Sequence, residues 1–161
     1  MQNSKFRLAL SAAKEGAEQN ELPVGCALFY NGILFKTEHN KTNVNEDPLA
    51  HCELLVLREF IQTHNNVSEY SMELYVTLEP CVMCYRAYSD LCDETQSVSI
   101  VFGAYNEIFG MTKVFRNGMN TSLLYRCIES EEAVEIVREF YKNNRNIRVG
   151  QVSGESTSQN R

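Results

Sequence analysis

The sequence predicts an α/β protein, a three-layer α/β/α sandwich built on a mixed sheet. Segments with helical periodicity alternate with β-rich segments along the chain, and this alternation is typical of a sheet covered by helices. Asn31-Gly32 lies between two apolar runs, which predicts a β-hairpin and therefore an antiparallel pair at one edge of the sheet. The length of 161 residues suits one domain with a sizeable core.

The first half of the chain predicts a helix, the hairpin and a second helix. Apolar residues recur at helical spacing from Phe6 to Ala17, so the opening helix should end near residues 16–20. The hairpin strands are "LPVGCALFY" and "ILFKTEH". Asp47-Pro48 supplies a helix N-cap and a first-turn proline ahead of "LAHCELLVLREFIQT", which predicts that the second helix begins there.

The second half predicts strands that alternate with helices. "MELYVTL" and "SVSIVFGA" are rich in β-branched and aromatic residues and predict two buried strands, and "MTKVF" predicts a short one. Glu79-Pro80 predicts the start of a third helix, and residues 131–142 predict a final amphipathic helix. We therefore expect one domain over residues 1–149 and a flexible C-terminal tail over residues 150–161.

Composition and charge argue against several classes of protein. The net charge of 15 − 21 = −6 argues against binding of a polyanion through a generally basic surface. No apolar run approaches the roughly 18 residues that a membrane span needs, and the N-terminal residues are too polar for a secretory signal. We therefore expect an intracellular protein of the cytoplasm or nucleus. In a reducing compartment, the six cysteines favour thiols or metal ligands over disulfides.

One cysteine pair has the spacing of a metal or redox motif. Cys81 and Cys84 form a Cys-x-x-Cys motif, which on its own is compatible with a redox dithiol, a structural zinc site or two ligands of a catalytic zinc. Both fall at the start of a predicted helix, where the helix dipole favours the thiolate that binds metal. His51 falls at the start of another predicted helix, and such helix N-termini meet at one end of a sheet. The three residues can therefore converge.

A catalytic zinc site takes three protein ligands and leaves a fourth position to water, and His51, Cys81 and Cys84 meet that count. Zn²⁺ lowers the pKa of a bound water to about 7 and so provides a hydroxide nucleophile at neutral pH. Glu53 points in a different direction from His51 on a helix, so it suits a proton shuttle rather than a ligand. The combination of H-x-E with P-C-x-x-C is the signature of zinc nucleobase deaminases.

The segments that carry this signature also carry a family resemblance. From "LPVGCALFYNG" through "DPLAHCELLVLREF" and "LYVTLEPCVMC" to "IVFGAYNEIFG", the chain resembles the tRNA-specific adenosine deaminases of the cytidine deaminase-like superfamily. Two segments, "NEIFG" at 106–110 and "SEEAVEIVREFYKNNRN" at 130–146, look more like the catalytic chain of the eukaryotic wobble enzymes than the bacterial homodimers. The resemblance implies hydrolytic deamination of adenosine 34 in the tRNA anticodon loop to inosine.

The resemblance also implies roles for the metal and proton-transfer residues. It implies that His51, Cys81 and Cys84 bind Zn²⁺. It implies that Glu53 takes a proton from the attacking water, delivers it to N1 of adenine and later helps ammonia to leave. In this family, the residue between the histidine and the glutamate is usually alanine, whereas this chain has Cys52.

The same resemblance implies a set of substrate contacts. Asn40 matches a position that contacts the flipped nucleotide. Pro23 and Val24 match residues that line the base pocket, and the backbone of Cys52 would help to hold the base. Asn106 matches a position near the sugar of the target nucleotide.

The resemblance implies a partner as well. In the eukaryotic enzymes that the chain resembles, the catalytic chain pairs with a related subunit that lacks the catalytic glutamate. Because Glu53 is present, the resemblance implies the active member of such a heterodimer, with a homodimer less favoured. The acidic net charge is compatible with this arrangement, since the partner can supply basic surface for tRNA.

Two other functions stay open from the sequence. The same zinc site would serve a deaminase of a free nucleoside or base, such as cytidine, cytosine or guanine. The second open function is that of a non-catalytic, zinc-binding assembly subunit. The segment "NEIFG" and the final helix favour tRNA over the first, and Glu53 argues against the second. One segment, residues 85–101, is longer and more acidic than in the bacterial relatives that the chain resembles.

Overall fold

The computed structural model describes residues 4–64, 70–92, 96–115 and 123–151, with the backbone alone described for residues 96 and 145–151. The helices along these segments are α1 (Ser4–Glu18), α2 (Cys52–Thr63), α3 (Val82–Ser89), α4 (Met111–Val114) and α5 (Glu131–Gln151). The strands are β1 (Gly25–Tyr30), β2 (Ile33–His39), β3 (Tyr70–Leu78), β4 (Gln96–Ala104) and β5 (Leu124–Cys127).

The strands form one mixed sheet in the order β2-β1-β3-β4-β5. β1 pairs antiparallel with β2 and β3, whereas β4 pairs parallel with β3 and β5. Asn31 and Gly32 have positive φ angles of 48° and 79°, as the tight turn between β1 and β2 requires. The predicted hairpin and its place at the sheet edge are therefore confirmed.

Helices cover both faces of the sheet, so the predicted three-layer architecture is also confirmed. Successive strand residues point into different cores. Leu28 packs in the core that contains residues of α2 and α3, and Phe29 packs in the core that contains residues of α1 and α5. α1 packs directly against β1 at Gly25. A Cβ atom at this position would lie only 2.2 Å from the backbone nitrogen of Ala13, so the close packing requires a glycine.

α2 begins later than the sequence predicts. Asp47-Pro48 does not start the helix, because the Asp47 carbonyl accepts a hydrogen bond from the Ala50 amide at 3.0 Å and so closes a separate turn. The Ala50 carbonyl in turn accepts one from Lys41 at 2.9 Å, which ties this turn to the loop after β2. The N-cap of α2 is His51, in an extended conformation with φ −70° and ψ 140°.

α3 also begins later than predicted. Pro80 lies before the helix, and the N-cap is Cys81, which is extended with φ −66° and ψ 166°. Cys81 forms an isolated antiparallel bridge with Gly110. Because this pairing holds Cys81 in an extended conformation, the helix starts only at Val82.

The region after β4 departs most from the prediction. "MTKVF" forms α4 rather than a strand, with the Val114 amide bonded to the Gly110 carbonyl at 3.1 Å. β5 was not predicted, because its four residues are only exposed or half-buried. α5 runs to Gln151, so it includes the first residues of the predicted tail, and residues 152–161 lie outside the described residues.

Within the described part of the chain, no helix has both the length and the apolar character to cross a membrane.

Candidate active site

Three metal-ligand side chains converge where α2 and α3 begin. His51 caps α2, Cys81 caps α3 and Cys84 lies in the first turn of α3. The Nδ1 atom of His51 is 3.7 Å from the Sγ atom of Cys81 and 3.5 Å from that of Cys84. In the described segments, this is the group of histidine, cysteine and acidic side chains that could share a metal ion, with all donor atoms within 4.8 Å of one another.

This donor set fits Zn²⁺. Zinc–nitrogen bonds of about 2.0–2.1 Å and zinc–sulfur bonds of about 2.3 Å place N and S ligands of one tetrahedral ion about 3.6 Å apart. The two nitrogen–sulfur distances in the structure match this value. One imidazole and two thiols are donors that zinc prefers. Because His51 and Cys81 are only half-buried, the arrangement leaves a side open for a further ligand, as a catalytic zinc site requires.

The pKa values of the two cysteine thiols are shifted in opposite directions. The hydrogen bond with Cys84 lowers the pKa of the Cys81 thiol to about 4. The same hydrogen bond raises the pKa of Cys84, and burial raises it further. The hydrogen bond with Cys81 raises the pKa of His51. The surroundings of Cys81 therefore favour its thiolate, which is the form of cysteine that binds metal.

Glu53 lies beside this cluster and is not one of its three donors. Its side chain is only 3% exposed and lines the same cavity as His51 and Cys81. Burial raises the pKa of the Glu53 carboxyl, so this group holds a proton more readily than an exposed glutamate does. The Cys52 thiol donates a hydrogen bond to Oε2 of Glu53 at 3.2 Å and otherwise packs in the apolar core. Cys52 is therefore outside the metal cluster.

A cavity of about 550 Å³ opens over the cluster, and its volume is in the range of small-molecule binding sites. Three of the five residues predicted to contact substrate line it, namely Val24, Asn40 and Asn106. Pro23 is buried but does not belong to the lining, and neither does Cys52. The structure thus brings most of the predicted site around one cavity.

Some residues of the lining were missed from the sequence. Leu22 precedes the predicted Pro23-Val24 pair. Phe109 belongs to "NEIFG", a segment that supports the family resemblance but in which only Asn106 was assigned a role. Glu79 is the acidic residue directly before the P-C-x-x-C motif. The signal that could have identified it is an acidic residue directly after a strand that is predicted to be buried, because burial of a carboxylate costs free energy unless the group has hydrogen-bond partners.

Asn40 connects two parts of the site. Its backbone amide donates to the carbonyl of Val24 at 3.1 Å, and its side-chain Oδ1 accepts a hydrogen bond from the Cys52 amide at 2.9 Å. The first amides of a helix have no acceptor within the helix, so this side chain satisfies one of them in α2. Asn40 therefore fixes the first turn of α2 relative to the strand end that carries Val24.

Replacing Asn40 with alanine should lower the melting temperature by about 2 to 12 °C. A buried amide left without an acceptor costs about 1–3 kcal/mol, and each kcal/mol shifts a domain of this size by about 2–4 °C. Asn40→Asp keeps an oxygen acceptor and should restore most of the loss. Differential scanning calorimetry at constant zinc measures both variants. Asn43→Ala, which removes an exposed hydrogen bond to Asn20, is the control, and an equal loss there would contradict the assignment.

Asn106 lies at the edge of the cavity in a tight turn. Its Oδ1 atom accepts hydrogen bonds from the amides of Ile108 at 3.3 Å and Phe109 at 3.0 Å. Its own amide donates to Oε2 of Glu79 at 3.1 Å. The side chain thus shapes the local backbone as well as the cavity.

A histidine, two cysteines and a buried glutamate at such a cavity, on an α/β/α sandwich, define a zinc-dependent deaminase of nucleobases. A family model described as "Cytidine and deoxycytidylate deaminase zinc-binding region" matches residues 2–101. The tRNA-specific adenosine deaminase of Aquifex aeolicus is 33% identical over 146 residues, which cover 88% of this chain and 94% of that protein. The chain therefore belongs to the cytidine and deoxycytidylate deaminase family and, within it, to the tRNA-specific adenosine deaminases.

Two further similarities extend this result. The tRNA-specific adenosine deaminase subunit tad2 of Schizosaccharomyces pombe is 30% identical over 142 residues, which cover 84% of this chain and 36% of that protein. A solved structure from a study of A-to-I editing by tRNA:A34 deaminases superposes with a TM-score of 0.67 at 27% identity. The superposition covers 82% of this chain and 97% of that one.

Proposed function

We propose that this chain hydrolytically deaminates adenosine 34, the wobble base of tRNA anticodons, to inosine. One observation carries the proposal: His51 and Cys81, whose donor atoms cluster with that of the buried Cys84, line a single open cavity together with the buried Glu53. The similarity to tRNA-specific adenosine deaminases supports adenosine in tRNA as the substrate.

The residues divide the chemistry between them. His51, Cys81 and Cys84 hold zinc, which when bound supplies a Lewis acid that activates water at neutral pH. Glu53 accepts one proton from the attacking water and delivers it to N1 of adenine, and it then takes the remaining proton from the new hydroxyl at C6 and passes it to the amino group, so that the C–N bond breaks, ammonia leaves and the C6 carbonyl of inosine forms. Its raised pKa suits a group that must both accept and give a proton.

The cavity holds the target base outside the RNA stack. Enzymes that act on a base within a nucleic acid extrude it into a pocket, and Val24, Asn40 and Asn106 line this one. The Cys52 amide bonds to Asn40, so Cys52 acts by holding Asn40 rather than by contacting the base. Pro23 likewise acts through the adjacent Val24.

We also propose that the active form is a heterodimer with a related subunit that lacks the catalytic glutamate. The net charge of −6 gives this chain a poor general surface for tRNA, so a more basic partner would supply part of the binding energy. The similarity to a protein named as a subunit supports a multi-chain enzyme.

The expected result of an activity assay is inosine in an anticodon stem-loop that contains A34 and no product from free adenosine, cytidine or guanine. Mass spectrometry of nuclease digests measures it, and a stem-loop with guanosine at position 34 is the matched control. The chain is assayed alone and co-purified with the related subunit. Turnover of free compounds only would refute the tRNA substrate. No turnover by either zinc-loaded form would instead indicate an assembly subunit, and full activity of a homodimer would refute the heterodimer.

A further inference from the structure

A second buried carboxylate faces the cavity, and the chemistry described above does not use it. Glu79 lies between the end of β3 and the metal ligand Cys81, and only 1% of its surface is exposed. Burial of a carboxylate is unfavourable unless hydrogen bonds replace its hydration. The contacts of Glu79 therefore indicate what it stabilises.

Glu79 holds the segment of residues 105–112, here called the rim segment. Its Oε2 atom accepts a hydrogen bond from the Asn106 amide at 3.1 Å, and its Oε1 atom accepts one from the Thr112 amide at 2.9 Å. The hydroxyl of Tyr125 donates to Oε1 at 3.3 Å. Gly110 packs against the carboxylate so closely that a Cβ atom there would lie 2.2 Å from Oε2. The two ends of the rim segment are thus fixed to one side chain.

The rim segment supplies part of the cavity wall. Asn106 and Phe109 both line the cavity, and Phe109 is 64% exposed. The bridge between Cys81 and Gly110 and the hydrogen bond from the Met111 amide to the Pro80 carbonyl, at 3.3 Å, join the same segment to the metal-ligand region. The Glu79 carboxylate adds to these backbone contacts by fixing Asn106 and Thr112, at the two ends of the segment.

We infer that Glu79 is a positioning residue that holds the rim segment in place for the substrate nucleotide. It acts through Asn106 and Phe109 and does not itself take part in proton transfer. This inference rests on the proposed function for the identity of the nucleotide, but the hydrogen bonds that carry it do not depend on that identity.

The arrangement requires a carboxylate in particular. An ionised carboxylate only accepts hydrogen bonds, so both oxygens can serve the two amides and the hydroxyl at once. A glutamine has one oxygen and one NH₂ group, and the NH₂ group would face a backbone N–H that also donates. Glu79→Gln therefore preserves size while it releases at least one end of the rim segment.

The chain provides a matched control in Glu21. This residue is also fully buried, and its carboxylate accepts hydrogen bonds from the amides of Asn43 and Val44 and from the hydroxyl of Thr42. These three residues do not line the cavity. Glu21→Gln thus makes the same chemical change in a similar setting, but at a carboxylate whose hydrogen-bond donors do not line the cavity.

The test compares the two variants by zinc content, steady-state kinetics on the A34 stem-loop and hydrogen exchange. Glu79→Gln should keep stoichiometric zinc, raise KM about tenfold or more with kcat changed much less, and speed amide exchange within residues 105–112. Glu21→Gln should lower the melting temperature with KM within about twofold of wild type, since the three donors that Glu21 holds do not line the cavity. An unchanged KM for Glu79→Gln, or equal KM changes in both variants, would overturn the inference.

Two further measurements keep failures distinguishable. If the wild-type chain deaminates a free nucleobase instead of the stem-loop, the proposed function fails, and KM for that base then tests Glu79 in the same way. If Glu79→Gln does not fold, Tyr125→Phe removes one of the three donors and should raise KM by about two- to fivefold. Unchanged KM and unchanged exchange of the rim segment in Tyr125→Phe would then overturn the inference.

Discussion

Replacing Glu53 with glutamine should abolish deamination while the protein keeps its fold and its zinc. Glutamine has nearly the same size but cannot accept or release a proton at neutral pH. General acid–base catalysis contributes about 10²–10⁴-fold to a rate, so kcat should fall by at least that factor. Zinc content should not change, because Glu53 is not one of the three clustered donors. Single-turnover inosine formation and elemental analysis of the same preparation measure the two effects.

Glu59→Gln is the matched control for this variant, because Glu59 lies on the same helix with a side chain that is 46% exposed. It pairs with Lys36 at the surface, and such pairs contribute little, so its activity should equal that of the wild type. If Glu53→Gln retained activity within about tenfold of wild type, proton transfer would belong to another group. If it lost its zinc, Glu53 would be a ligand.

The architecture was predictable because its signals are local and repeated. The turn at Asn31-Gly32 needs positive φ angles that these two residues adopt readily, and the buried strands β3 and β4 are continuous β-rich runs. The helix starts were less predictable. At Asp47-Pro48 the local capping signal is real, but the contact of the Ala50 carbonyl with Lys41 holds this segment in a turn. A long-range pairing with Gly110 has the same effect at Cys81.

The metal site was predictable for a different reason. His51 lies far from Cys81 and Cys84 in the sequence. Each side of this gap nevertheless contains a short motif, H-x-E or P-C-x-x-C, and few functions require the two motifs together. Glu79 has no such motif. Its role depends on donors at Asn106, Thr112 and Tyr125, which lie 27, 33 and 46 residues away, and no periodicity connects them. The same long-range hydrogen bond at Thr112 helps to explain why "MTKVF" is a helix rather than a strand.

Replacing Cys84 with alanine should remove zinc and the part of the stability that zinc provides. Cys84 is fully buried in the first turn of α3 and is one of the three clustered donors, so alanine at this position removes a metal ligand. A ligand that binds only the folded state stabilises it by about 4 kcal/mol at a thousandfold excess over its Kd. Zinc should thus raise the melting temperature of the wild type by about 8 to 16 °C and leave that of Cys84→Ala nearly unchanged.

The dependence on added zinc separates loss of metal from loss of packing, since the missing sulfur atom lowers the stability of Cys84→Ala equally with and without zinc. Cys127→Ser is the control, because Cys127 lies on β5 outside the metal cluster and should keep both stoichiometric zinc and the full thermal shift. Calorimetric scans of chelator-treated and zinc-saturated samples, with elemental analysis, provide the comparison. A zinc-dependent shift of wild-type size in Cys84→Ala would remove Cys84 from the ligand set and leave His51 and Cys81 as an incomplete site.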